Sequence, residues 1–143
     1  MKKITRLLLI NWHYFQNTII DFGTINFLTG KNSAGKSTII DALQIVFMGE
    51  TRSTAFNRAA SKKSERTLKS YLIGSMGENV ENGNKSIREG KDFSTYIVAE
   101  FYDDNKSYYF CLGAVFDTFS DGGDINKRFF YLHSRIPECK FIE

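Results

Sequence analysis

Apolar residues fall into two textures along this chain: short extended runs near both ends, and one longer run with no polar face between them. Ile4 to Ile10 is mostly apolar and predicts a strand buried on both faces. Asn11 to Asn17 reads as a polar-aromatic connection, Thr18 to Phe22 as a second short strand and Gly23-Thr24 as a turn. Ile25 to Thr29 reads as a third strand. From Lys36 to about Met48, Ile39, Ile40, Ala42, Leu43, Ile45, Val46, Phe47 and Met48 predict a helix apolar nearly all round, hence one lying between layers. Asp41 and Gln44 are its polar exceptions, and Gly49 is its stop. Three short strands ahead of that helix predict an antiparallel neighbourhood beside it.

The middle of the chain is polar. Between Thr51 and Ser70 six basic residues (Arg52, Arg58, Lys62, Lys63, Arg66, Lys69) oppose Glu65 alone. Thr67 to Ile73 reads as a short helix, and Gly74 to Asp92, rich in Gly, Asn, Ser and Glu, as a flexible loop. Alternating β-branched and aromatic residues then return. Phe93 to Tyr102, the turn Asp103 to Lys106, and Ser107 to Phe116 predict a hairpin, and Lys127 to His133 a further strand. The result is an antiparallel meander packed beside the helix. We read residues 1–143 as one partial domain in three parts: 1–50, 51–92 and 93–143.

The stretch that organises the chain is Gly30-Lys31-Asn32-Ser33-Ala34-Gly35-Lys36-Ser37-Thr38. Gly30, Gly35, Lys36 and Ser37 occupy the four defined positions of the P-loop pattern, between a predicted strand and a predicted helix. Each position has its own chemistry. The glycines admit backbone angles that let successive N–H groups turn inward on an anion. Lys36 reaches the β- and γ-phosphates, and the Ser37 hydroxyl reaches Mg²⁺. The helix that follows aims its unbonded N–H groups and positive dipole end at the same phosphates. The expectation is a nucleotide phosphate site.

Composition changes this picture little. The 143 residues suit one domain, and thirteen Phe suit strands and a packed interior. A net charge of +3 selects no partner. The local excess in Thr51–Ser70 does more: it is either a solvated face or a footprint for nucleic acid or nucleotide, with Arg58, Lys62, Lys63 and Arg66 as the candidate contacts. Cys111 and Cys139 stand far apart, which points to a reduced intracellular protein with Cys111 in the core. The apolar run after Lys2-Lys3 ends at Ile10, short of a signal peptide, and no run is long enough to span a membrane. A cytoplasmic location is expected.

Hydrolysis needs a second carboxylate and a water-positioning group. Asp117, ending Gly113-Ala114-Val115-Phe116, and Glu100 are the nearest imitations, yet both sit in hairpin strands and read as structural. Gln44, His13 and His133 read the same way, and Ser120 to Asp124 reads as a turn. The chain therefore carries one half of an ATPase site.

Ile10 to Phe15 together with Ile25 to Gln44 resembles the N-terminal head segment of SMC-type ATPases, within the ABC/SMC P-loop superfamily. Phe56 to Ala60, Arg66 to Leu72 and Ser94 to Tyr102 resemble, more narrowly, the SMC-like subunit of bacterial Wadjet plasmid-defence systems, a relative of MukB and MksB. The resemblance implies an α/β head lobe: a mixed sheet, a P-loop helix and an adjoining antiparallel β-meander. It also implies ATP and Mg²⁺ as cofactors. Gly30, Ser33, Ala34 and Gly35 then form the cradle, with Asn32 near the γ-phosphate, Lys36 on the β/γ-phosphates, Ser37 on Mg²⁺ and Thr38 on the α-phosphate. Arg58 aligns with a segment whose arginine touches DNA or nucleotide in relatives. Ser33 departs from the glycine usual in the family. The implied partners are a C-terminal lobe of the same protein carrying the Walker B acids and signature motif, a second head, DNA and accessory subunits. A transporter-type ABC fragment, and a DNA-binding module with an idle P-loop, remain alternatives.

Overall fold

In the computed structural model the described residues are 1–31, 35–52, 56, 67–75 and 86–136. Among them the elements are β1 (Lys2–Trp12), β2 (Phe15–Asp21), α1 (Lys36–Met48), α2 (Leu68–Ile73), β3 (Phe93–Asp103), β4 (Tyr108–Thr118) and β5 (Asn126–Leu132). The strands form one sheet in the order β2-β1-β3-β4-β5, every neighbouring pair antiparallel. The predicted meander is there, with turn and strands within two residues of expectation.

β1 holds the sheet together because both of its faces are apolar. Leu7 and Leu9 point toward the helices and share a core with Ala42, Ile45 and Val46 of α1 and Leu68, Tyr71 and Leu72 of α2. Leu8 and Ile10 point the other way, against Val98, Cys111 and Ile136. Cys111 is buried as expected, its thiol pushed up to about 11, chiefly by burial. On that second face the Phe130 ring lies flat on Gly113, where a Cβ would stand 2.1 Å from the ring.

Three sets of expectations need correcting. The sheet is antiparallel throughout rather than mixed, and Ile25 to Thr29 is not a strand. Asn26 closes a local turn instead, its side chain bonding the Gly23 N–H at 2.8 Å and the Gly23 carbonyl at 3.0 Å. The chain then leaves the sheet, with Ile25 76% and Phe27 86% exposed. Alternation marks a segment that can pair; it does not supply the neighbour.

The second correction concerns α1, which is covered on one side only. Ile40, Phe47 and Met48 are exposed, while Asp41 is fully buried and accepts a hydrogen bond from the Tyr71 hydroxyl. A sandwiched helix needs two layers, and the described residues supply one. The third correction falls at the end of the expected 74–92 loop. Ser75 bridges Ser86, and the buried Arg88 bonds the carbonyls of Leu72 (2.9 Å) and His13. Residues 76–85 lie outside the described residues. Among the described residues no helix is long and apolar enough to cross a membrane.

One buried ion pair fixes the second face. A register shift between Ile4 and Arg6 turns Thr5 and Arg6 onto Glu100 of β3. Glu100 is buried and receives Arg6 at 2.6 Å, Thr5 at 2.7 Å and the Ile136 N–H at 2.8 Å. Burial pushes its carboxyl up, but the bonds from Arg6, Thr5 and Ile136 overcome this and hold it at about 2. A carboxyl depressed in this way contributes stability above its ordinary value of 4.5 and loses it as pH falls toward about 2. Glu100→Gln is expected to cost about 3 kcal/mol at neutral pH. It should also flatten the fall in melting temperature between pH 4.5 and about 2. Superimposable pH–melting curves for the two proteins would show that the pair carries no such linkage.

Candidate nucleotide phosphate site

α1 starts without a side-chain cap. Its N-cap is Gly35 at φ 95°, ψ 4°, and the first helical bond runs from the Ile39 N–H to the Gly35 carbonyl at 3.0 Å. The amides before Ile39 thus precede the helical ladder, as at any helix start, and point where an anion would gather them. The Lys36 side chain folds back across the loop, its ammonium donating to the carbonyls of Gly30 and Lys31 (3.0 Å for the latter). Gly30 has φ 150°, a conformation that side-chain-bearing residues rarely adopt. One cation therefore spans both ends of the nine-residue motif.

The opposite wall of the site comes from the β1–β2 turn. The Trp12 indole N–H donates to the Thr38 carbonyl at 2.9 Å, and its ring stacks on Tyr71 with centroids 4.5 Å apart. Tyr14 and Phe15 close over Gly35. A Cβ there would lie 2.6 Å from the Tyr14 hydroxyl oxygen and 3.3 Å from the Phe15 ring. Burial raises the Tyr14 pKa, and hydrogen bonding with the Thr38 side chain opposes the rise. Glycine is thus required at position 35 twice over, by its own φ and by the rings above it.

The turn is held in an unusual conformation. Asn11 (φ 52°) and His13 (φ 49°) both sit in the left-handed region, which Asn and His tolerate better than most residues. Four bonds hold them there. The Asn11 side chain reaches the Ser94 carbonyl, Thr95 bonds the Asn11 carbonyl, the His13 N–H meets the Tyr71 carbonyl, and Arg88 meets the His13 carbonyl. Arg88 is nearly buried, and burial lowers its pKa.

Of the residues singled out in the sequence, the structure brings together Gly30, Gly35, Lys36, Ser37 and Thr38. Ser37 is half-buried at the first turn, and Thr38 is almost fully buried. Asn32, Ser33 and Ala34 lie outside the described residues, as do Arg58, Lys62, Lys63 and Arg66. Arg52 is tied to Glu50 at 2.6 Å. Asp117 bonds Ser94 at 2.7 Å and Arg128 at 2.6 Å, and Glu100 is taken up by Arg6, so both carboxylates serve the sheet. Among the described residues no cluster of His, Cys, Asp and Glu is arranged to hold a metal ion. Sequence reasoning missed Trp12, Tyr14 and Phe15. The available signal was the chain's single Trp within the run Trp12-His13-Tyr14-Phe15, too aromatic for a plain hairpin connection.

Comparison with known proteins agrees with this geometry. Residues 4–63 match the family described as the P-loop containing region of AAA domain. A stretch of 62 residues is 44% identical to structural maintenance of chromosomes protein 6A of Arabidopsis thaliana, covering 43% of this chain and 6% of that protein. The chain thus contains a P-loop region similar to that of an SMC protein, and matches only a small part of that relative's length.

Gly35→Ala should cost about 2 kcal/mol of stability, from a strained φ and an overpacked contact. Tyr14→Phe removes the oxygen nearest the new methyl, so the double variant should recover part of the loss. Thermal melts of the four proteins test this. An equal loss in both backgrounds would mean that Tyr14 does not close over Gly35.

Proposed function

We propose that the chain is the ATP-binding N-terminal half of an SMC-type ATPase head, which acts on DNA once joined to a C-terminal lobe and paired with a second head. The observation that carries the reading is the assembled motif: an uncapped α1 start at Gly35, with Lys36 strapped across the loop to Gly30 and Lys31. The match of residues 4–63 and the identity to an SMC protein support the same assignment. The narrower reading, the SMC-like subunit of a Wadjet-type plasmid-defence system, rests on the resemblance of Phe56–Ala60, Arg66–Leu72 and Ser94–Tyr102.

In this reading, the first-turn amides and the α1 dipole bind the phosphates. Lys36 exchanges its two carbonyl acceptors for β- and γ-phosphate oxygens. Mg²⁺, when bound with the nucleotide, neutralises phosphate charge, and the Ser37 hydroxyl is the side chain that would hold it. The described carboxylates Glu100 and Asp117 are engaged by arginines, so the groups that activate water are assigned to the missing lobe. That lobe also has a surface to cover: Ile25, Phe27 and Leu28 ahead of the loop, and Ile40, Phe47 and Met48 on α1, are all exposed.

Calorimetric titration of the chain with ATP and Mg²⁺, beside Lys36→Ala, tests the proposal. Binding by the wild type, at least about tenfold weaker in the variant and without turnover, is the expected result. Undiminished binding by Lys36→Ala, or steady turnover by the chain alone, would overturn it.

A further inference from the structure

We infer that β5 carries a base-stacking platform for single-stranded nucleic acid, with Phe129 and Tyr131 as the stacking rings and Lys127 as a phosphate contact. The rings call for exposed bases; that the strand is DNA rests on the function proposed above. β5 ends the sheet, so among the described residues its outer edge is unpaired. Its register with β4 sets Lys127 opposite Phe116, Phe129 opposite Ala114 and Tyr131 opposite Leu112. Those β4 residues face the core shared with α1, so alternation puts Lys127, Phe129 and Tyr131 in one row on that side. The row stays open, with Phe129 50% and Tyr131 53% exposed. His133 continues it, its ring 6.4 Å from Tyr131 and 4.5 Å from Tyr108. The row is also braced: Tyr131 stacks with Phe110 at 5.7 Å, and Phe110, nearly buried, with Phe101 at 5.0 Å.

Exposed rings alone name no partner; charge decides the occupant. From Asn126 to Ile136 the chain has Lys127, Arg128 and Arg135 and no acid. Arg128 points to the opposite face and is taken up by Asp117 at 2.6 Å. Lys127 stays on the aromatic side and bonds the Thr51 hydroxyl at 3.1 Å. That bond brings the first residue of the basic stretch Thr51–Ser70 to the row. Lys2 adds a second ammonium, 5.8 Å from the centre of the Phe110 ring. Rings and lysines together fit a polymer that offers flat π-faces and phosphates at once, which is a single strand. A duplex keeps its base faces stacked inside and could use the lysines but not the rings. An apolar protein surface could use the rings but would have to desolvate the Lys127 ammonium.

The test is fluorescence anisotropy of a labelled oligothymidylate titrated with the full chain. Wild type is run beside Tyr131→Phe, Tyr131→Leu, Phe129→Leu and Lys127→Ala, with melting temperatures as control. The leucines keep apolar area but lose the π-face, so each should weaken binding about tenfold. Tyr131→Phe keeps the ring and should bind as the wild type does. Lys127→Ala should lower the slope of log affinity against log salt by about 0.7. Melting temperatures should stay near the wild-type value, because both rings are half exposed. No binding by the wild type, equal binding by Tyr131→Leu and Tyr131→Phe, or the same losses with a duplex probe would each overturn the platform. So would a wild type that sediments as a dimer which Tyr131→Leu dissociates, since the rings would then serve a second copy. ATP titration of the wild type and Lys36→Ala keeps the two readings apart. A platform that fails while Lys36→Ala still weakens ATP binding leaves the phosphate site standing, and the reverse result leaves the platform standing.

Discussion

Trp12 is the point on which the site depends. Its indole N–H is bonded to the Thr38 carbonyl, and its ring is fully buried against Tyr71. Through those two contacts the last residue of β1 fixes the first turn of α1 and the position of α2. A buried aromatic of this size contributes several kcal/mol by area alone, roughly 3–5 by the usual cost of truncation. An unmade bond to a buried indole would add to that cost. The P-loop is thus anchored to the sheet by a residue eighteen positions before Gly30.

Buried polar groups extend the same design. Asp41 would be a costly burial in the middle of α1, but the Tyr71 hydroxyl donates to it, and Tyr71 is the ring that stacks on Trp12. Arg88 has the Leu72 carbonyl at the end of α2 and the His13 carbonyl in the turn as acceptors, with the Phe93 ring 5.5 Å away. A cation near a helix C-terminus is favoured by the dipole. Together Asp41, Tyr71 and Arg88 join α1, α2 and the turn through hydrogen bonds. Satisfied networks of this kind specify one arrangement where apolar packing alone would permit several.

What was legible in the sequence was what local pattern determines. The hairpin of β3 and β4, the limits of α1 and the position of α2 each depend on residues a few positions apart. The strand expected at Ile25–Thr29 was not legible, because alternation carries no information about whether a neighbour exists. The burial of Asp41 and Arg88 was not legible either, since each depends on a partner from another element. Tyr14 shows the limit most clearly. Its place over Gly35 spans twenty-one positions, and only the folded sheet brings the two together. The P-loop motif itself was legible because backbone chemistry fixes its spacing, whatever surrounds it.

The two flanks of the loop are held in different ways. On the Gly35 side, Tyr14, Phe15 and Trp12 form a packed aromatic wall. On the Gly30 side the approach runs through Ile25 and Phe27, largely in solvent, and the described tie across the loop is the Lys36 ammonium on two carbonyls. Under the proposed function a phosphate entering the loop would compete for that ammonium, so part of its attraction would go into releasing the tie. The rigid flank keeps the helix amides aimed while the tie is exchanged. Under the proposed function, whatever covers Ile25 and Phe27 would act on nucleotide binding from beside the loop, without touching the nucleotide.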